Sequence, residues 1–182
     1  ESVVSLFIQY SYFQALPANT MISWTTDDDA NNQNPSLSFR FDVAMSGVLG
    51  VGNNIAKWSE TDKKIATEKI AKYKQIRPLL SNGDLYRLVS PYENNKCALQ
   101  FMAKDKSQGA LYLYNLNENI QGSTRDTRHS TILLLRGLNE ESSYKIEGDK
   151  QIYKGSFLMK SGINWPVSGS YQSKIIEIKM IN

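Results

Sequence analysis

The sequence is poor in the residues from which compact chemical sites are most often built. Its 182 residues hold one cysteine and one histidine. An intramolecular disulfide framework is therefore excluded, and a zinc site of Cys and His at ligand spacing cannot be assembled. Cys97 lies in the strand-like run Cys97-Ala98-Leu99-Gln100-Phe101-Met102, where a buried, inert thiol is expected. His129, in Thr127-Arg128-His129-Ser130, has no partner for nucleophilic catalysis and reads as a solvated loop residue. No GxGxxG or Walker pattern occurs; Gly47-Val48-Leu49-Gly50-Val51-Gly52 lacks a lysine and reads as a flexible join after a helix. No charged segment followed by an apolar one and a cleavage site opens the chain. The longest apolar stretch, near residues 3–16, is broken by Ser5, Gln9 and Gln14 and is too short to span a bilayer. Charge is equally unclustered: +3 overall, −3 over residues 1–58, and +3 over each of 59–82 and 83–182. That pattern offers no footprint for nucleic acid or an anionic membrane.

What is present is core material. The chain is 41% hydrophobic, with ten tyrosines, six phenylalanines and three tryptophans, enough for one domain or for one domain plus part of another. Residues 2–16 read as a helix stopped by Pro17. Its apolar side chains fall on almost every face, so it needs protein around it, and Glu1 is expected to be a boundary inside a longer protein. A short strand, Met21-Ile22-Ser23-Trp24-Thr25, leads into a polar loop. Ser36 can cap a second helix running to about Ser46. Ser59-Glu60-Thr61-Asp62 is a capping-box pattern opening a long helix, with Ile65, Ala66, Ile70, Tyr73, Ile76 and Leu80 as its apolar stripe. From Gly83 onward, short β-rich runs alternate with turn signals, the mark of an antiparallel sandwich or meander. The last run, ending Ile176-Glu177-Ile178-Lys179-Met180, alternates as if one face were in the core and the other in water. The change of character sets a boundary at residue 82.

Two features suggest a ligand. Asp27-Asp28-Asp29 is a carboxylate cluster. Its spacing does not suit a calcium loop, and a solvated turn is the plainer reading, although loops do carry function. Trp24, at the end of a strand before that loop, could stack on the flat C–H face of a sugar, whereas a strand tryptophan is more often core.

Several stretches, in order and spacing, resemble the C-terminal region of family 36 glycoside hydrolases, the α-galactosidase type. They are Leu6-Phe7-Ile8-Gln9-Tyr10, Asn19-Thr20-Met21-Ile22-Ser23-Trp24, Phe39-Arg40-Phe41-Asp42-Val43-Ala44-Met45-Ser46-Gly47-Val48-Leu49-Gly50, Ile70-Ala71-Lys72-Tyr73-Lys74-Gln75-Ile76-Arg77-Pro78-Leu79 and Gly83-Asp84-Leu85-Tyr86-Arg87-Leu88-Val89-Ser90-Pro91. The resemblance implies an α+β fragment. Residues 1–82 would be the last helix-strand-helix part of a (β/α)8 barrel, and residues 83–182 an antiparallel β-sandwich. It also implies a retaining glycosidase in which two aspartates act as nucleophile and acid/base, about 5–5.5 Å apart. Both fall upstream of this chain, so no catalytic residue, metal or cofactor is expected within it and the chain alone should be inactive. Trp24 and Asp27 would sit at the substrate rim. The implied partners are α-galactoside or α-N-acetylgalactosaminide sugars, and an incomplete barrel predicts self-association through its apolar helix. Where relatives commonly read Gly-Ala-His in the barrel strand, this chain has Ile22-Ser23-Trp24, a change bearing on the sugar accepted. The alternative is a non-catalytic carbohydrate-binding or oligomerisation β-sandwich module.

Overall fold

The structure is a computed structural model that describes residues 2–27, 35–93, 95–116 and 132–181. The opening segment forms α1, Ser2–Tyr12, and β1 follows at Ile22–Thr25. Helix α2, Leu37–Ala44, begins where expected, with the Ser36 hydroxyl accepting from the Phe39 amide at 3.2 Å. Val48–Val51 is not a flexible join but a strand, β2, parallel to β1 in the register Ile22↔Val48 and Trp24↔Gly50. The expected order helix–strand–helix–helix thus becomes helix–strand–helix–strand–helix, with α2 as the crossover that parallel strands require. Helix α3, Glu60–Asn82, opens with the full Ser59/Asp62 capping box. It ends at Gly83, where a Cβ would lie 2.5 Å from the Leu79 carbonyl and 2.6 Å from that of Met102. Only glycine lets the chain turn there from helix to sheet. None of the helices among the described residues is long and apolar enough to cross a membrane.

The rest is built on one antiparallel sheet. It comprises β3 (Asp84–Val89), β4 (Lys96–Met102), β5 (Gln108–Asn115), β7 (Ser143–Ile146), β8 (Ile152–Lys154) and β10 (Gln172–Ile181), in the order β3-β4-β5-β10-β7-β8. Between them fall β6 (Ile132–Leu133) and β9 (Ile163–Asn164), which pair with each other, and a short helix, α4 (Gly155–Lys160), where the sequence reading had a turn. The expected antiparallel sheet is present. The layer over its second face is mostly irregular chain, with β6–β9 as the paired strands within it.

Both faces of the sheet are covered, and this explains why β4 and β5 read as near-continuous apolar runs rather than alternating ones. Cys97, Leu99, Phe101, Ala110, Tyr112 and Tyr114 join one cluster with Leu6, Phe39, Phe41, Met45 and Ile76 from the helices. Ala98, Met102, Leu111, Leu113, Ile176 and Ile178 join a second with Leu133, Leu135, Leu138, Tyr144 and Leu158. Gln100, fully buried, is the polar tie in that second face: its amide donates to the Arg136 carbonyl, and the Arg136 amide donates back at 3.0 Å. The face of β10 expected to meet water is partly covered by the helices: Ile175 packs on the first cluster, Ser173 donates to Asp42 of α2 at 2.7 Å and Lys72 of α3 donates to Glu177 at 2.6 Å, while Lys179 stays exposed. Helix α1 is held from the sheet side by Tyr92, which donates to the Phe7 carbonyl at 3.2 Å and sets its ring edge-on to Phe7 at 5.0 Å.

Candidate functional site

The C-terminal ends of β1 and β2 bring together the two residues the sequence singled out. Because side chains alternate along a strand, Ser23 and Thr25 point toward the helices and are buried, while Ile22 and Trp24 share the opposite, open face. Trp24 is 57% exposed. Core packing, the commoner fate of a strand tryptophan, does not apply to it. Its fused ring lies on the neighbouring strand instead: a Cβ on Gly50 would be 2.6 to 2.9 Å from Cε3, Cδ2 and Cζ3 of Trp24, and one on Gly52 would be 3.5 Å from Cε3. Three ring atoms at nearly equal distance mean that the indole lies flat on the glycine backbone. One π-face rests on protein and the rest of the ring is open.

Behind that face a buried polar group fixes β1. The Gln9 amide of α1 donates to the Ser23 hydroxyl at 2.5 Å, and its carbonyl accepts from the Ser46 hydroxyl at the end of α2. All three side chains are buried, so each must be satisfied internally, and together they lock helix, strand and crossover in one register. Tyr73 of α3 does the same for β2, accepting from the Leu49 amide at 3.2 Å and donating to the Gly47 carbonyl at 3.3 Å.

In front, the loops leaving the two strands are tied to each other. The buried Thr25 hydroxyl donates to Asn53 Oδ1 at 2.6 Å. Asn53 Nδ2 donates to Asp27 Oδ1 at 3.2 Å, and the Asn54 amide donates to Asp27 Oδ2 at 2.8 Å. Arg40 of α2 donates to the Thr26 carbonyl at 2.5 Å. Asp27 is thus exposed but anchored, with each oxygen accepting one hydrogen bond among the described residues. A cleft of about 220 Å³ lies against this corner, lined by Ser2, Ser5, Gln9, Ser23, Trp24 and Thr26 among others. A larger groove of about 820 Å³ lies in the β portion, along Glu147, Asp149, Tyr153 and Lys174. It includes none of the residues the sequence pointed to.

Asp28, Asp29 and His129 lie outside the described residues. Cys97 is buried as expected, and burial pushes its thiol well above the ordinary range, so it is an inert hydrophobe. Among the described residues there is no group of three or more His, Cys, Asp or Glu able to hold a metal. The sequence reading missed Gly50 and Asn53. The signal for Gly50 was the β-prone Val48-Leu49-Gly50-Val51 run itself; for Asn53 there was none, since its role depends on the pairing of two distant strands.

The corner of strand ends that carries Trp24 and Asp27 belongs to a chain with clear relatives. The melibiase family model matches residues 1–83, and the glycosyl hydrolase family 36 C-terminal domain model matches residues 96–178. α-Galactosidase 1 of Pediococcus pentosaceus is 32% identical over 185 residues, covering 100% of this chain and 24% of that protein. Among solved structures, the family 36 α-galactosidase AgaB from Geobacillus stearothermophilus superposes with a TM-score of 0.87 at 30% identity. A variant of the α-galactosidase AgaA from the same organism, in complex with stachyose, also gives 0.87 at 30%. Each match covers all of this chain and 24% or 25% of the other, so the chain spans about a quarter of the length of these relatives. With the two models matched in succession along it, this chain belongs to glycoside hydrolase family 36, the α-galactosidase family.

Proposed function

We propose that this chain is part of a retaining α-galactosidase, supplying the last two strands and three helices of a (β/α)8 barrel in residues 1–82 and a β-sandwich domain in residues 83–182. The observation that carries the barrel reading is the open face of β1 and β2. Ile22, Trp24 and Val48 are exposed there, in register with one another and with Gly50. Each strand also has a free edge among the described residues. An uncovered apolar face on a parallel pair, backed by helices, is what a barrel wall looks like without its remaining strands, since barrel interiors are filled by inward side chains from alternate strands. The strand ends that bear Trp24 and Asp27 would then be the catalytic end of the barrel.

In this reading the chain builds the pocket and does not perform the bond cleavage. The nucleophile and acid/base carboxylates come from portions of the enzyme outside this sequence, Trp24 offers its free ring face to the galactose C–H surface, and Asp27 accepts from sugar hydroxyls. The substrate class is terminal α-linked galactosides of the kind represented by stachyose, bound in the AgaA complex. The open face also leads the isolated chain to self-associate. The test is product stereochemistry. The full-length protein that contains this chain, given an aryl α-galactoside and followed by proton NMR, should release α-galactose first, with the β anomer rising only by mutarotation. Initial release of β-galactose, or preference for the α-N-acetylgalactosaminide, would overturn the mechanism or the sugar assignment respectively.

A further inference from the structure

We propose that Asn53 is a positioning residue for sugar binding, holding the Asp27 carboxylate beside the exposed Trp24 ring; this rests on the reading of the β1 and β2 ends as the wall of the galactoside pocket. The Thr25 hydroxyl, buried at 1% exposure, donates to Asn53 Oδ1 at 2.6 Å. With Oδ1 taken as acceptor, the amide has only its NH2 to offer on the other side, and that group donates to Asp27 Oδ1 at 3.2 Å. The relay Thr25→Asn53→Asp27 therefore runs one way, from a buried strand hydroxyl to an exposed carboxylate.

The backbone is arranged to allow it. Gly52, immediately before Asn53, donates to the Thr25 carbonyl at 2.8 Å, and a Cβ on it would be 3.5 Å from Trp24 Cε3, so the loop after β2 is drawn against the end of β1. The Asn54 amide completes the hold at Asp27 Oδ2, 2.8 Å away. A carboxylate has roughly four lone-pair sites; the two donors among the described residues leave about two for a pair of neighbouring hydroxyls on a hexopyranoside. An aspartate on an untethered loop would have to be ordered each time sugar binds, and that ordering opposes affinity. Asn53 does it in advance. Aspartate at this position would set two carboxylates against each other, and alanine would release Asp27 from both Asn53 and Thr25.

The experiment compares Asn53→Ala, Asn53→Asp, Asp27→Asn and the double variant Asp27→Asn/Asn53→Ala in the full-length protein, on para-nitrophenyl α-galactoside, with the thermal midpoint recorded for each. Loss of uniform sugar binding raises KM while leaving kcat nearly unchanged. The expected result is a KM about tenfold higher for both Asn53 variants, kcat within about twofold, and a double variant no worse than Asp27→Asn alone, as residues acting through one contact are non-additive. A purely structural role would lower kcat and the thermal midpoint together and would add to Asp27→Asn. Asn53→Asp is nearly isosteric and keeps the reading available if Asn53→Ala fails to fold. Unchanged KM at Asn53, with a raised KM for Asp27→Asn, overturns this inference and leaves the galactosidase reading intact. No α-galactoside turnover by the unsubstituted protein overturns both.

Discussion

The Tyr114 hydroxyl donates to the main-chain carbonyl of Asp42 at 2.8 Å, joining the centre of the antiparallel sheet to the last turn of α2. Tyr112, two residues earlier on β5, donates to the Met45 carbonyl at 3.0 Å. The last carbonyls of a helix have no partner within it, and two phenols from another part of the chain supply the missing donors. Both rings are fully buried, and burial drives their ionisation well above the ordinary tyrosine range, so they stay protonated donors at any working pH. Since α2 is the crossover between β1 and β2, the sheet helps to set where the candidate site lies.

Replacing Tyr114 with phenylalanine leaves a buried carbonyl unsatisfied, which costs about 1–3 kcal/mol. The unfolding midpoint of the full-length protein should drop for Tyr114→Phe and again for Tyr112→Phe. Unchanged midpoints would mean that the two hydroxyls contribute nothing to stability.

Asp42 carries a second tie, with its fully buried carboxylate 2.5 Å from Lys69 Nζ and accepting from the Ser173 hydroxyl at 2.7 Å. Burial pushes this carboxyl above its ordinary value of 3.8, and Lys69 and Ser173 offset only part of that. Lys69→Met strands the charge, a loss on the order of 3 kcal/mol near neutral pH. A folded-state pKa above the unfolded one means that the native protein takes up the proton first as pH falls. The deficit of Lys69→Met relative to the unsubstituted protein should therefore shrink between neutral pH and about pH 4. Denaturation midpoints across that range decide it; a deficit that grows on acidification contradicts the assignment.

Lys72 of α3 meets Glu147 at 2.8 Å and Glu177 at 2.6 Å. Burial works against its charge, but the two glutamates outweigh burial and raise its pKa. Burial likewise acts to raise both glutamates, yet their hydrogen bonds, from Lys72 and the Glu177 amide at Glu147 and from Lys179 and Lys72 at Glu177, bring them below 4.5. Depressed carboxylates contribute stability above about pH 4.5 that is lost as pH falls through their folded values. The raised lysine contributes below about pH 10.5 and loses its share as pH rises beyond. Lys72→Met should cost no more than about 1 kcal/mol, because the pair is partly exposed. That cost should be flat over the neutral range and fade in acid.

Gly50 tests the placement of the indole. In Gly50→Ala the new methyl would lie 2.6 Å from Trp24 Cε3, so the ring must move off the strand. KM for the aryl galactoside should rise about tenfold, with most of that effect absent when Trp24 is already alanine, because coupled neighbours are non-additive. Full additivity of the two substitutions would mean that the contact has no bearing on the sugar.

Local signals made much of the fold legible. The Ser36 cap, the Ser59/Asp62 box, the stripe on α3 and the β-rich run around Cys97 each act within a few residues. β2 was hidden because Val48-Leu49-Gly50-Val51, flanked by glycines, looks like a breaker until β1 is beside it, and its glycine is there for a ring 26 residues earlier. Trp24 and Asp27 were visible as residue types, but neither the exposure of one nor the anchoring of the other could be read without the pairing of β1 with β2. Helix α4 was missed because Gly155, which starts it, carries the signature of a turn.

The most direct test of the central claim compares the full-length protein with the 182-residue chain, the latter shown to be folded by circular dichroism, for release of para-nitrophenol from its α-galactoside. The account predicts clear turnover by the full-length protein and none by the chain alone, which by this proposal supplies pocket wall without the catalytic carboxylates. Turnover by the chain alone, lost on substituting Asp27, would contradict it and place the chemistry at the ends of β1 and β2.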